Sequence, residues 1–271
     1  MSRYSYMAIS EIAPKKEKNE DRIFVNGTLI DRGRNTGQTD DAFLAVVCDG
    51  VGGVSGGDIA ATEAASSFAS FDLNKLTYPA LDRHILQINS SIRDMQRKDH
   101  LHSSMATTIA GLIINKGNYM VFNLGDSRVY RYSNEILTLL THDHTVAQEK
   151  LNCGVLSDIE DATPTDRNTL TRYIGGCDEV SVPFAKHNVI SKSDEFFLLC
   201  SDGISKSLSD NQICYLLSSG QNIQYMAESI MMAAAQNGCA DDRSVVLIRI
   251  SEDDANDKNK EEKHEYSNQH C

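Results

Sequence analysis

Five short acidic motifs, spread over most of the chain, each lie where an apolar, strand-like run begins or ends. They are Asn19-Glu20-Asp21, Asp49-Gly50, Gly125-Asp126-Ser127, Asp202-Gly203 and Asp241-Asp242. A carboxylate at a strand end is half-buried, and a buried carboxylate needs a cation to offset its loss of water. Several carboxylates that meet in space repel one another unless a divalent ion lies between them. Oxygen ligands favour Mg²⁺ or Mn²⁺ over zinc, so the motifs predict one such metal site.

The composition is that of an ordinary globular chain, and its charge disfavours several classes of partner. The 271 residues are 41% hydrophobic and 24% charged, with a formal net charge of −12. Such an acidic chain is a poor match for nucleic acid or an anionic membrane, which both attract clustered Lys and Arg. No apolar run approaches the length of a membrane span, and residues 1–12 lack the features of a secretory signal.

The seven cysteines disfavour a disulfide framework. Their number is odd, and Cys48 and Cys200 lie inside apolar runs, where Cys behaves as a small hydrophobe. Zinc ligand spacings are absent. We therefore expect a reducing cytoplasm as the location of this protein.

Patterns of apolar residues predict an α+β fold. Strands are expected at residues 21–25, 42–48, 107–114, 119–124, 128–132, 189–190, 196–200 and 244–250, and helices at 58–71, 79–97, 144–151, 210–217 and 223–235. The three runs between 107 and 132 predict an antiparallel meander with hairpin turns at 115–118 and 133–134. Polar residues 31–40 and 152–168 are expected to be loops. Strands and helices do not alternate throughout, which favours antiparallel sheets with helices outside them.

Each acidic motif taken alone is a weak signal. Asp49-Gly50 followed by two more glycines is a common turn after a strand, and no Gly-Lys-Ser/Thr follows that would indicate a nucleotide-binding loop. Gly125-Asp126-Ser127 suits a hairpin turn, and the adjacent Asp241 and Asp242 suit an exposed one. The whole set, in its order and spacing, is far more specific than its members.

In that order and spacing the motifs resemble the metal-dependent protein phosphatase (PPM) family, the type 2C Ser/Thr phosphatases. The resemblance covers residues 16–250 and includes Ala106-Thr107-Thr108, while residues 141–145 and 168–175 are similar to the bacterial branch. It implies a central sandwich of two antiparallel β-sheets flanked by α-helices. The domain is then 1–250, with a flap-like segment at about 145–170. Residues 251–271 are charged, cannot bury a core and are expected to be a disordered tail.

The same resemblance implies a role for each acidic position. Asp49 would bridge two ions of Mn²⁺ or Mg²⁺, the Gly50 carbonyl would help to hold one, and Asp202 with Asp241 would hold the other. Asp126 with Asp202 would bind a weaker third ion. Glu20 and Asp21 would orient water at the metals, and Lys16 would bind the substrate phosphate. The expected catalytic residues are therefore Asp49, Asp202 and Asp241.

The chain departs from the family pattern at four positions. Lys16 replaces a common Arg, and a lysine offers a point charge where arginine offers a two-pronged contact. Asp242 replaces a usual Asn, and either adds negative charge near the metals or faces solvent. Val51 stands where eukaryotic members carry a His, and Ala106 replaces a frequent Gly. None of these changes removes a metal ligand.

The resemblance implies hydrolysis of phosphoserine and phosphothreonine in proteins by a metal-activated water. Its substrates would be phosphoproteins made by a Ser/Thr kinase, and we expect a monomer with no nucleic-acid or membrane partner. The first alternative is a pseudophosphatase that acts as a signalling or scaffold module, which Lys16 and Asp242 keep open. The second is a metal-dependent nuclease, which the charge of −12 disfavours.

Overall fold

Within the described residues, twelve strands, paired throughout as antiparallel neighbours, form two six-stranded sheets. The structure is a computed structural model that describes residues 2–51, 55–177, 180, 182–188, 195–220 and 222–252. The first sheet contains, in spatial order, β4 (Gly33–Thr39), β1 (Ser2–Glu11), β12 (Arg243–Glu252), β11 (Glu195–Cys200), β8 (Arg128–Ser133) and β9 (Ile136–Leu139). The second contains β10 (Phe184–Asn188), β7 (Asn118–Leu124), β6 (Ile109–Asn115), β5 (Phe43–Asp49), β2 (Asp21–Val25) and β3 (Thr28–Ile30).

The central strands are buried on both faces because each sheet lies between its partner sheet and a layer of helices. In β5 every second side chain, from Phe43 to Val47, packs between the sheets, and the alternate ones, from Leu44 to Cys48, pack under helices. This burial explains why β5 is a continuous apolar run with no polar alternation. Cys48 and Cys200 are both buried, as expected for small hydrophobes.

Helices cover the outer face of each sheet. The second sheet carries α1 (Gly57–Ser67) and α2 (Tyr78–Lys98), and the first carries α5 (Asp202–Ser205), α6 (Asp210–Leu217) and α7 (Ile223–Gln236). In α2, Thr77 caps the Ala80 N–H and Pro79 lies in the first turn, both favourable at a helix start. The layers are thus helix, sheet, sheet, helix, which confirms the predicted fold class.

The predicted meander is wrong in its third strand. The hairpin between β6 and β7 is confirmed, with Lys116 and Gly117 at positive φ in its turn. The next strand, β8, leaves that sheet and pairs with β9 and β11 of the other one. The turn at 133–134 closes the hairpin between β8 and β9, with Asn134 at a φ of 50°. The alternating apolar and polar residues of β8 identify a strand but carry no signal for which of the two sheets it joins.

Two predicted loops contain regular structure. Residues 31–40 include β4, an edge strand that bonds to β1 along its backbone, so its polar side chains need no core. Residues 152–168 include the short helix α4 (Pro164–Asn168), which with α3 (Val146–Asn152) lies in the predicted flap-like segment.

The last strand also extends past its predicted end at residue 250. Ser251 pairs with Arg3 and Glu252 with Ser2, so β12 continues to residue 252. The strand expected at 189–190 and the tail from residue 253 onward lie outside the described residues. Among the helices within the described ranges, none is long and apolar enough to cross a membrane.

Candidate metal centre

All five acidic motifs meet at one end of the sandwich. The sheets bring together the start of β2, the end of β5, the turn between β7 and β8, the start of α5, and the residue pair before β12. A cavity of about 400 Å³ opens there. Its lining includes Lys16, Asp49, Gly50, Asp126, Asp202, Lys206 and Asp241. Asp21 lies behind this cavity, fully buried, and its Oδ2 accepts a hydrogen bond of 2.7 Å from the Ser201 hydroxyl.

The backbone around Asp49 is held on both sides. The Asp49 N–H donates to Thr108 Oγ1 (3.0 Å), and the Thr108 N–H donates to the Asp49 carbonyl (2.8 Å). The Gly50 N–H donates to the Glu20 carbonyl (3.1 Å). A Cβ on Gly50 would lie 2.5 Å from the Gly57 carbonyl oxygen, so the close approach of α1 requires glycine at this position.

The site carries more negative charge than its own cations offset. Burial, followed by repulsion from Asp202, Asp21 and Asp126, raises the pKa of Asp49 well above its usual value. Burial also raises the pKa of Asp21 to about 7, against the stabilising hydrogen bonds of two serine hydroxyls. Oδ1 of Asp21 and Oδ1 of Asp202 are buried and accept no hydrogen bond from any residue that the structure describes. Buried, unpartnered carboxylate oxygens fit a site built for divalent cations.

The carboxylates do not close around one ion by themselves. In the part of the chain that the structure describes, no group of three or more His, Cys, Asp or Glu side chains is arranged to hold a metal ion. The donor set of carboxylates and a backbone carbonyl in an open cavity suits Mg²⁺ or Mn²⁺, which keep several waters when bound to proteins.

Lys16, the expected phosphate ligand, is surrounded by carboxylates. Its Nζ lies 2.6 Å from Asp241 Oδ1, 3.1 Å from Glu20 Oε2 and 3.2 Å from Asp242 Oδ2. Burial works to lower the pKa of Lys16, but the contacts with Asp241 and Glu20 outweigh it and raise that pKa. Because its pKa is raised, the ammonium is charged, as a phosphate ligand must be. It also lines the cavity.

Asp242 is a buried acceptor, so of the two alternatives left open for it, the one in which it faces solvent is wrong. Its side chain is 2% exposed. Oδ1 accepts the Ala13 N–H at 2.7 Å, and Oδ2 accepts the Glu20 N–H at 2.8 Å. The carboxylate thus fixes the backbone beside Glu20 to the start of β12. A carboxylate suits this place better than an amide because its partners are all donors.

Asp126 lies on a turn that several contacts hold in place. Gly125 has a φ of +109°, which favours glycine, and its N–H donates to His144 Nδ1 at 3.1 Å. The His144 N–H donates back to the Gly125 carbonyl at 3.0 Å. Burial lowers the pKa of His144 to about 4, so the ring is neutral and can accept at Nδ1.

Three of these positions were not expected as contributors to the site: Lys206, His144 and Ser201. Lys206 Nζ lies 2.6 Å from Asp202 Oδ2 and 2.9 Å from Asp126 Oδ2. Its spacing of four residues from Asp202 was a usable signal, because such pairs meet on a helix. His144 contacts Gly125, and Ser201 contacts Asp21, both distant in the chain. The sequence around His144 and Ser201 gives no sign of these contacts.

Known proteins share both the sequence pattern and the architecture. The profile of the family described as Protein phosphatase 2C matches residues 30–241. Protein phosphatase PhpP of Streptococcus pneumoniae is 27% identical over 252 residues, which cover 91% of this chain and 98% of the relative.

Solved structures agree with these relatives. The serine/threonine phosphatase PstP of Mycobacterium tuberculosis has a TM-score of 0.79 at 23% identity, over 92% of this chain and all of that one. A PstP catalytic domain in complex with two manganese ions has a TM-score of 0.76 at 23% identity, over 93% of this chain and 100% of that one.

A sandwich of two antiparallel sheets with flanking helices is the fold of these type 2C phosphatases. The chain belongs to the protein phosphatase 2C family, whose profile covers well over half of it. The resemblance noted from the motifs and the assignment to the protein phosphatases are thereby confirmed. The comparisons give no support to the pseudophosphatase alternative.

Proposed function

We propose that this protein hydrolyses phosphoserine and phosphothreonine monoesters in proteins, with two divalent ions held by Asp49, the Gly50 carbonyl, Asp202 and Asp241. The observation that carries the proposal is the unoffset negative charge at one cavity. Asp49 has a raised pKa there, and Asp202 Oδ1 is buried without a partner. The relatives named above are phosphatases, which supports the same chemistry.

When bound, the two ions would acidify a water and withdraw charge from the phosphoryl group. The protein residues would do the positioning. Asp49, with its backbone held by Thr108, would fix the ions relative to each other. Glu20 and Asp21 would accept hydrogen bonds from water at the ions, directly or through further waters. Asp21 can only do so from behind the cavity, because it is fully buried.

The Lys16 ammonium would attract the phosphate dianion of the substrate. It lies at the cavity wall, 30% exposed, so a phosphate oxygen can reach it. Before substrate binds, Asp241 and Glu20 hold it in place. Ordering the lysine in advance lowers the entropy lost when the phosphate binds.

The identity of the ions, the source of the substrates and the location of the protein are proposals too. We propose Mn²⁺ or Mg²⁺ as the ions, phosphoproteins made by a Ser/Thr kinase as the substrates, and the cytoplasm as the location. The manganese complex of PstP supports the first of these. A monomer without a nucleic-acid or membrane partner remains our expectation. The third ion at Asp126 stays a prediction that competes with Lys206.

A panel of matched phosphopeptides tests the substrate class. Three peptides of one sequence would carry phosphoserine, phosphothreonine or phosphotyrosine, and phosphate release would be measured with Mn²⁺ present. We expect turnover of the first two peptides and much slower turnover of the third. Asp94→Asn, on an exposed site of α2 paired to Arg97, should match the parent chain. Failure of the folded, Mn²⁺-loaded protein to hydrolyse any of the three would contradict the proposal.

A further inference from the structure

A lysine ammonium lies between the two carboxylates that were expected to hold a third ion. Lys206 Nζ is 2.9 Å from Asp126 Oδ2 and 2.6 Å from Asp202 Oδ2. Both carboxylates are well shielded from water, with side-chain exposures of 6% and 15%. Two close carboxylates need a cation between them, and here a side chain of the chain itself supplies one.

The position of Lys206 is determined by the helix that contains Asp202. Lys206 follows the last residue of α5, and its N–H donates to the Asp202 carbonyl at 2.8 Å. One helical turn therefore places the lysine over Asp202, and β11 together with the β7–β8 turn brings Asp126 to the same side. Because the backbone already sets this geometry, holding the ammonium there costs little additional entropy.

The two oxygens of Asp202 have different surroundings. Oδ2 contacts Lys206, whereas Oδ1 is buried and has no hydrogen-bond partner. One oxygen is thus engaged by the lysine, and the other remains available to an ion shared with Asp49. In this arrangement a single carboxylate can serve both cations, with one strong partner for each oxygen.

We propose that the Lys206 ammonium is the resident cation between Asp126 and Asp202, so that this protein works with two metal ions and a lysine rather than with three ions. The inference rests on the proposed two-ion function. Lys206 acts as a positioning residue, which holds Asp202 with Oδ1 toward the two ions. A third divalent ion would have to displace the ammonium or bind against its repulsion.

Counting bound Mn²⁺ tests this directly, because the readout does not depend on turnover. Free Mn²⁺ would be measured by electron paramagnetic resonance during a titration of the metal-free protein. The chains compared are the parent, Lys206→Asn, Lys206→Arg, and the double variant Lys206→Asn with Asp126→Asn. The matched control is Lys18→Asn, which removes one charge from a side chain 75% exposed and 3.5 Å from Asp58.

We expect two ions on the parent chain, on Lys206→Arg and on Lys18→Asn. Lys206→Asn should bind a third ion, because one repelling charge is gone. Its affinity for that ion should be at least about tenfold higher than any affinity the parent chain shows for a third ion. The double variant should lose that third ion again. A thermal melt in chelator checks that every variant is folded.

Two results would overturn the inference about Lys206, and a third would contradict the proposed function. A third, Asp126-dependent ion on the parent chain would overturn the inference and leave the two-ion function standing. The same ion count in Lys206→Asn as in the parent would overturn it too. Absence of tight Mn²⁺ binding by the folded parent chain would instead contradict the proposed function itself.

Discussion

Asp21 and Asp49 face each other as partner residues across the antiparallel pair β2 and β5. Cross-strand neighbours have their side chains close together, and like charges in such a pair are unfavourable. Burial is the main cause that raises the pKa of each. Repulsion from Asp21 adds to the rise at Asp49, and repulsion from Asp242 and Asp202 adds to the rise at Asp21. The fold thus places two buried carboxylates side by side, where bound cations would relieve their repulsion.

Asp49→Asn should abolish activity without unfolding the protein. Asparagine fits the same backbone but carries no charge, so it would be a poor ligand for a hard cation. We expect phosphopeptide turnover to fall by at least about 10³-fold, as for loss of a central catalytic group. In chelator, the melting temperature should equal or exceed that of the parent, because a buried charge has been removed. A variant with near-parent turnover would place the catalytic centre elsewhere.

Lys16→Ala should weaken the binding of substrate and strengthen the binding of metal. Loss of the ammonium removes a phosphate contact, and we expect KM for a phosphopeptide to rise by roughly 3–10-fold. The same loss removes a positive charge 2.6 Å from Asp241, so Mn²⁺ should bind more tightly. Lys16→Arg should retain or lower KM, since arginine can contact a phosphate with two N–H groups. An unchanged KM in Lys16→Ala would show that the lysine only pairs with its carboxylates.

Asp242→Asn should destabilise the protein although asparagine is the usual family residue. Both carboxylate oxygens accept backbone N–H groups, from Ala13 and Glu20. An amide would point its NH₂ at one of these donors and leave it unpaired, at a cost of about 1–3 kcal/mol. Denaturant unfolding in chelator measures the effect. The exposed control Asp94→Asn should change the free energy of unfolding by less than about 0.5 kcal/mol. Equal stability of Asp242→Asn and the parent would refute this role.

The neutral, buried His144 predicts a loss of stability in mild acid. A histidine titrates near 6.5 when unfolded, whereas burial lowers the pKa of His144 to about 4 in the folded protein. The unfolded chain therefore binds more protons between these values, so the free energy of unfolding falls as pH drops from 6.5 toward 4.

His144→Asn separates this contribution from other titrations. Asparagine offers an acceptor to the Gly125 N–H as Nδ1 does, but it does not titrate. Between pH 7 and pH 4.5, the variant should lose roughly 2–3 kcal/mol less stability than the parent chain. The control is His100→Asn, an exposed histidine, which should keep the parent's pH dependence. An identical acid loss in His144→Asn and the parent would contradict the account.

Most of the strands and helices that form the layers could be predicted, because the positions of apolar residues show which faces are buried. The runs that became β2, β5, β6, β7 and β11 are apolar on both faces, and α2 has its apolar residues on one face. The edge strand β4 could not be found in this way, since its sequence is polar and only backbone pairing to β1 makes it a strand. The sheet that β8 joins is decided by the packing of the whole sandwich.

The gathering of these carboxylates at one cavity was predictable as a set, whereas their supporting contacts were not. The motifs around Asp49 and Asp202 follow apolar strands, a relation visible in sequence. Asp242 gives no such sign, because its partners Ala13 and Glu20 are more than 200 residues away. Lys206 meets Asp126 across 80 residues, and only its spacing from Asp202 hinted at a contact.

The most direct test of the two-ion account is the rate of phosphothreonine peptide hydrolysis as Mn²⁺ is added back to chelator-treated protein. We expect no measurable hydrolysis by the metal-free protein, which remains folded, and a rise to a plateau as Mn²⁺ fills the site lined by Asp49, Asp202 and Asp241. Full hydrolysis by the thoroughly chelated, gel-filtered protein would contradict it.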